Sequence, residues 1–137
     1  HTPDALGNVC LGVKQSYKNS RLITVFGCGG DRDSSKRPLM GKIAQMHSDH
    51  IVVTSDNPRS EEPQNIINDI LQGVDVSKSV IIEADRLKAI QLALTMAQVG
   101  DVILVAGKGH ENYQEVNGVK LPFDDLKIIK GFWGLSS

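Results

Sequence analysis

Four short, unbroken apolar runs recur along the chain: Leu22-Ile23-Thr24-Val25-Phe26, Ile51-Val52-Val53-Thr54, Val80-Ile81-Ile82 and Val102-Ile103-Leu104-Val105-Ala106. A strand wetted on one face alternates polar and apolar residues, so runs apolar throughout read as strands covered on both faces. The segments between them carry apolar residues at helical spacing. Ala5, Leu6, Val9, Cys10 and Val13 form one such stripe. Leu39, Met40, Ile43, Ala44 and Met46 form a second, and Ile66, Ile67, Ile70 and Leu71 a third. The fourth is Leu87, Ile90, Leu94 and Ala97, with Asp85 placed to cap its helix. Pro3 stands in the first turn of the first segment, where its missing N–H does no harm. Strands alternating with amphipathic helices predict an α/β fold: a Rossmann-like, mostly parallel sheet with helices on both faces. The end of the chain is less regular, with a turn signal at Asn117-Gly118 and a short helix expected from Asp124.

The chain has 137 residues, 40% hydrophobic and 23% charged, which suits one compact domain over residues 1–137. No repeat, linker or low-complexity stretch divides it. The formal net charge of −1 gives no general attraction to nucleic acid or to an anionic membrane. No apolar run approaches ~18 residues, so no segment is expected to enter a membrane, and no signal peptide is visible. Cys10 and Cys28 show neither a CxxC nor a Cys/His metal spacing. They point to a reducing, cytoplasmic setting with no metal site, and Cys10 is expected in the core. The chain starts at His1 and runs straight into the helix-start signal Thr2-Pro3-Asp4, as a piece of a longer polypeptide would.

In a parallel sheet, ligands bind outside the carboxyl ends of the strands. Three loops are expected on that rim. The first, Gly27-Cys28-Gly29-Gly30-Asp31-Arg32-Asp33, lets the backbone approach a ligand. It matches neither G-x-G-x-x-G nor the P-loop pattern, and it reads equally well as a glycine turn with a surface ion cluster. The second, Asp56-Asn57-Pro58-Arg59, offers an amide and a planar guanidinium fork suited to an amino acid's carboxylate. An Asn-Pro turn with a solvated Arg59 is the plainer reading. The third, Gly107-Lys108-Gly109-His110-Glu111, offers an anionic acceptor at Glu111, and its lone His110 reads as a structural hydrogen-bonder. No Ser/His/Asp set or close carboxylate pair emerges, so no residue is assigned as catalytic.

Taken in order, these loops, together with Lys36-Arg37-Pro38-Leu39-Met40-Gly41 and the opening His1-Thr2-Pro3-Asp4-Ala5-Leu6, resemble the C-terminal domain of the UDP-N-acetylmuramoyl-tripeptide synthetases of the Mur ligase family. Asp85-Arg86 with Ala89-Ile90 also fits, and the likeness runs to about Phe123. The resemblance implies one part of a three-domain ligase. The N-terminal domain and the central ATPase domain, which carries the P-loop and Mg2+, are not in this sequence. It implies ATP-dependent addition of meso-diaminopimelate to UDP-N-acetylmuramoyl-L-alanyl-D-glutamate, through an acyl phosphate attacked by the incoming amine. Arg32, Asp56, Asn57, Pro58, Arg59, Gly107 and Glu111 would then bind diaminopimelate, with Asp31 and His1 on the nucleotide side. The form Asp56-Asn57-Pro58-Arg59 resembles diaminopimelate-adding members. The end departs from the family, because Asp124-Asp125 is followed by Leu126-Lys127. The alternatives are a lysine-adding or D-alanyl-D-alanine-adding relative, or a free-standing, non-catalytic binding module.

Overall fold

A computed structural model describes residues 2–106 and, as strands, Tyr113–Val116 and Val119–Pro122. The chain runs α1 (Pro3–Ser16), β1 (Leu22–Phe26), a 3-10 turn (Ser34–Lys36), α2 (Arg37–His47), β2 (His50–Val53), α3 (Pro63–Leu71), β3 (Val80–Ile82), α4 (Arg86–Met96), β4 (Val102–Val105), β5 (Tyr113–Val116) and β6 (Val119–Pro122). The first helix starts as expected: the Thr2 hydroxyl accepts the Ala5 N–H at 3.1 Å. The Asp85 carboxylate likewise caps α4 by accepting from Lys88 N–H at 3.2 Å.

β1–β4 form one parallel sheet in the order β3-β2-β1-β4. The chain steps outward from β1 to β2 to β3, then returns past β1 to lay down β4 on its other side. A right-handed crossover keeps to one face while the steps run one way and must change face when they reverse. The core divides accordingly. On one face Leu6, Cys10, Met40, Ala44, Ile66, Ile67 and Ile70 from α1–α3 pack on Leu22, Phe26, Ile51 and Val53. On the other, Ala89, Ile90, Ala93 and Leu94 of α4 pack on Ile23, Val25 and Val52. Successive residues of β1 thus face opposite layers, which is why that strand is apolar apart from Thr24.

The observed strands and helices follow the expected alternation, with differences in packing. Val9, Leu39, Met46 and Leu87 belong to expected inward stripes but are exposed. In α4 the buried stripe is Arg86, Ala89, Ile90, Ala93 and Leu94, which keeps Ile90 and Leu94 of the expected stripe but replaces Leu87 and Ala97. Small alanines let that helix sit close to the sheet. β4 is half-buried along its length rather than buried, and β3 exposes Ile82, because each has a neighbour on one side only in the sheet described. β5 and β6 pair antiparallel, with Val116 opposite Val119, where only a turn signal was legible. That signal, Asn117-Gly118, and the helix expected from Asp124 lie outside the described residues.

Side chains lace the amino-terminal rim of the sheet. Arg21, just before β1, forms a bidentate pair with Asp101, just before β4, at 3.1 and 2.6 Å. Its other amino group meets His50 Nε2 of β2 at 3.1 Å. An arginine cannot accept, so that ring nitrogen is the acceptor. His50 Nδ1 in turn meets the Ser79 hydroxyl ahead of β3. The loops at the opposite rim are therefore built on strands tied together from below.

Candidate functional site

The loops after β1 and β2 are joined by backbone before any side chain contributes. Gly30 N–H donates to the Asn57 carbonyl at 2.8 Å. A Cβ on Gly30 would lie 1.8 Å from the Pro58 carbonyl oxygen, and one on Gly27 would lie 2.4 Å from that of Thr54. Glycine is required at both positions because backbone passes against backbone. Asp31, Asn57 and Arg59 adopt left-handed backbone, with φ of 54°, 45° and 52°. Asp and Asn tolerate that region, whereas Arg59 pays a steric cost there. Strain of this kind collects where the surroundings impose a geometry.

Side chains then lock the two loops. Arg59 Nη1 donates to the Gly30 carbonyl at 2.8 Å and to the Asn57 carbonyl at 3.4 Å. The Asp31 carboxylate accepts the Ser60 hydroxyl at 2.5 Å and the Ser60 N–H at 3.3 Å. The Pro58 carbonyl accepts the Glu61 N–H at 3.0 Å, closing the second loop.

Between the loops and the start of α2 lies an open cavity of about 340 Å³. Arg32, Asp56, Asn57 and Arg59 all line it, together with Cys28 and Lys36. Sequence reasoning placed the first four in one site, and the fold brings them together. Asp56 and Asn57 are buried and Arg59 half-buried, while Arg32 is exposed and touches the Asp31 carbonyl at 3.4 Å. Asp31 and Pro58 are not among the lining residues. Asp31 stands at the rim with its carboxylate on Ser60, and Pro58 supplies the carbonyl against which Gly30 packs. His1, Gly107 and Glu111 lie outside the described residues, as do Lys108 and His110. Burial pushes the Cys28 thiol up to about 12, with nearby Asp56 and Asp69 adding to the rise and Arg37 opposing it. The cavity therefore holds a neutral thiol rather than a thiolate.

The sequence did not reveal the residues beneath this cavity. The Arg37 side chain, only 3% exposed, pairs with Glu61 at 2.6 Å and Asp69 at 2.9 Å. It also donates to the Gly29 carbonyl at 3.1 Å. Its hydrogen bond to Glu61 raises the guanidinium's pKa and lowers that of the Glu61 carboxyl. Arg86, the first residue of α4, is buried and donates to the Ser55 carbonyl at 3.0 Å and the Ala106 carbonyl at 3.4 Å. It thereby ties the carboxyl ends of β2 and β4 across β1. An arginine beside a helix-capping aspartate reads as a surface residue, and partners brought close by the fold, the Ser55 and Ala106 carbonyls among them, account for its burial.

Comparison with known proteins converges on one family. The profile described as "Mur ligase, glutamate ligase domain" matches residues 1–109. The chain is a Mur ligase domain. It is 55% identical over 98% of its length to the UDP-N-acetylmuramoyl-L-alanyl-D-glutamate–2,6-diaminopimelate ligase of Aquifex aeolicus, of which it covers 28%. It is 54% identical over 95% of its length to the ligase of the same name from Prochlorococcus marinus, covering 26% of it. The Mur ligase domain thus spans under a third of the length of these relatives. A solved structure of a 2,6-diaminopimelate ligase superposes on 96% of the chain with a TM-score of 0.90 at 47% identity, over 27% of that structure. The UDP-N-acetylmuramate-alanine ligase of Thermotoga maritima, 17% identical with a TM-score of 0.51 over 98% of the chain and 24% of its own, shares the fold.

Proposed function

We propose that this domain binds and presents meso-diaminopimelate within an ATP-dependent, cytoplasmic ligase that adds it to UDP-N-acetylmuramoyl-L-alanyl-D-glutamate during peptidoglycan precursor synthesis. One observation carries the reading: Arg32, Asp56, Asn57 and Arg59 line a single cavity in a Mur ligase domain whose relatives at about 55% identity are named as diaminopimelate ligases. The chain itself accounts for binding and orientation. The guanidinium forks of Arg32 and Arg59 suit carboxylates, the Asn57 amide can donate to a carboxylate or accept from an amine, and Asp56 supplies negative charge opposite an ammonium group. Gly107 and Glu111 are assigned to the far amino and carboxylate end of the same ligand, and Asp31 and His1 to the nucleotide side. ATP and Mg2+ supply activation of the D-glutamyl carboxylate as an acyl phosphate. Binding of Mg2+ is assigned to the rest of the ligase. No helix among the described residues is long and apolar enough to cross a membrane.

Lysine lacks the second carboxylate of diaminopimelate. An arginine desolvated to meet that group would be left unpaired, a penalty of about 1–3 kcal/mol or more. The test is initial-rate kinetics of the full-length ligase with diaminopimelate and lysine in competition. Diaminopimelate should win, and Arg59→Lys, which keeps the charge but loses the fork, should raise the KM for diaminopimelate by roughly tenfold while that for ATP holds. Preference for lysine or for D-alanyl-D-alanine would refute the proposal.

A further inference from the structure

The cavity-lining residues account for contact with a ligand but not for what aims them. Arg59 is the sharpest case. Its backbone is left-handed, and its guanidinium leans on the carbonyl of Gly30, a residue with no side chain to hold its own peptides in place. The peptide groups on both sides of Gly30 are held by one ion pair. Arg37 Nη2 donates to the Gly29 carbonyl at 3.1 Å. The same nitrogen donates to Glu61 Oε2 at 2.6 Å, and that oxygen accepts the Asp31 N–H at 2.6 Å. Arg37 Nη1 adds bonds to Glu61 Oε1 at 3.0 Å and to Asp69 Oδ2 of α3 at 2.9 Å.

We propose that Arg37 and Glu61 are positioning residues for the amino-acid cavity: together they fix the Gly29-Gly30-Asp31 backbone that orients Arg59, and so set its selectivity for a ligand with a second carboxylate. This rests on the reading of the cavity given above. Arg37 faces the cavity, yet its charge is met by two carboxylates and its side chain is buried. It therefore acts from beneath as a strut, while Arg32, Lys36 and Arg59 are the other cationic residues that line the cavity among the described residues. Glu61 is equally committed, since its two oxygens serve Arg37 and the first loop at once. A guanidinium can reach a carbonyl and two carboxylates at fixed angles, which an ammonium cannot reproduce.

Glu61→Gln and Arg37→Lys in the full-length ligase test this, with Arg59→Lys alongside. Thermal unfolding and the KM values for diaminopimelate and for ATP are measured on each. Glu61→Gln and Arg37→Lys are each expected to raise the KM for diaminopimelate about tenfold, the scale of one charge-assisted hydrogen bond. Discrimination against lysine should shrink in step and the melting temperature should fall, because both residues are ion-paired in the fold, while the KM for ATP stays near that of the parent. If Arg59→Lys raises the diaminopimelate KM and neither strut variant does, the positioning role is overturned and the cavity reading stands. If none of the variants moves it, the cavity reading fails, and the positioning role with it. A parallel rise in both KM values would make the pair a general structural prop and overturn the proposal.

Discussion

Cys28 lies on the cavity wall, in the loop where a reactive nucleophile would be looked for first. Burial decides against that role by holding its thiol near 12, with Asp56 and Asp69 pushing the same way against Arg37. At pH 8 the thiol would stay almost wholly protonated, and the thiolate is the reacting form. Cys10 is fully buried and its pKa is raised by the same cause. Iodoacetamide at pH 8 should therefore leave both cysteines of the native chain unmodified over minutes, with two carbamidomethyl groups added once urea unfolds it. Rapid native labelling of Cys28, read by mass spectrometry of the peptide that carries it, would mean that the loop opens far more than its hydrogen bonds imply. At this scale the sequence singled out Arg32, Asp56, Asn57 and Arg59, which line the cavity, because Asp56-Asn57-Pro58-Arg59 and the glycine loop are local patterns. It left Arg37, Glu61 and Arg86 without a role. Their partners stand tens of residues away, as in the 24-residue separation between Arg37 and Glu61, and no periodicity records such a pairing.

Among the elements, the four strands of the parallel sheet were legible almost to their ends. Leu22–Phe26 and Val80–Ile82 coincide with the apolar runs, since a short β-branched run closed by a polar turn has few other ways to fold. Helix existence was equally clear. Helix rotation was not, because Leu39 and Leu87 fit a stripe as well as their neighbours do and only contact with the sheet selects between them. The glycines separate the two sorts of information sharply. Gly12 lies in α1, where an added Cβ would have nothing within 4 Å among the described residues, while at Gly30 that atom would meet the Pro58 carbonyl. Gly12→Ala should stabilise the chain by about 0.4–1 kcal/mol, by removing unfolded-state freedom and raising helix propensity. Gly30→Ala should destabilise it by about 1–3 kcal/mol, because a carbonyl cannot rotate out of the way as a side chain would. Urea midpoints at an unchanged slope would report both. A neutral Gly30→Ala would show that the two loops are not in contact in solution.

Across the whole molecule, the two rims of the sheet divide the work. The carboxyl rim carries strained loops and a cavity, and the amino rim carries the ties that keep the strands in register: Arg21 to Asp101, Arg21 to His50, and Lys14 to Asp49 at 3.0 Å. That division predicts how the fold fails in acid. The two Arg21 hydrogen bonds, chiefly, hold the Asp101 carboxyl down at about 2, with help from the Gln98 N–H and against a small cost of burial. A carboxyl with a depressed folded value binds its proton more readily in the unfolded chain, whose reference is about 3.9. Its contribution is therefore fully present above about pH 4 and is lost as the pH falls through 2. Asp49 and Glu61 are depressed too, so the parent should lose melting temperature steadily over that window, and the loss cannot be assigned to one group from the parent alone. Asp101→Asn isolates it. The variant keeps an oxygen for Arg21 but has no proton to gain. It should be less stable than the parent at pH 6, and its melting temperature should fall less steeply between pH 4 and 2, so that the two curves converge at the acid end. Parallel curves over that interval, measured by circular dichroism at constant ionic strength, would remove the Arg21–Asp101 tie from the acid transition and leave the other depressed carboxyls, Asp33, Asp49, Glu61 and Asp75, to account for it.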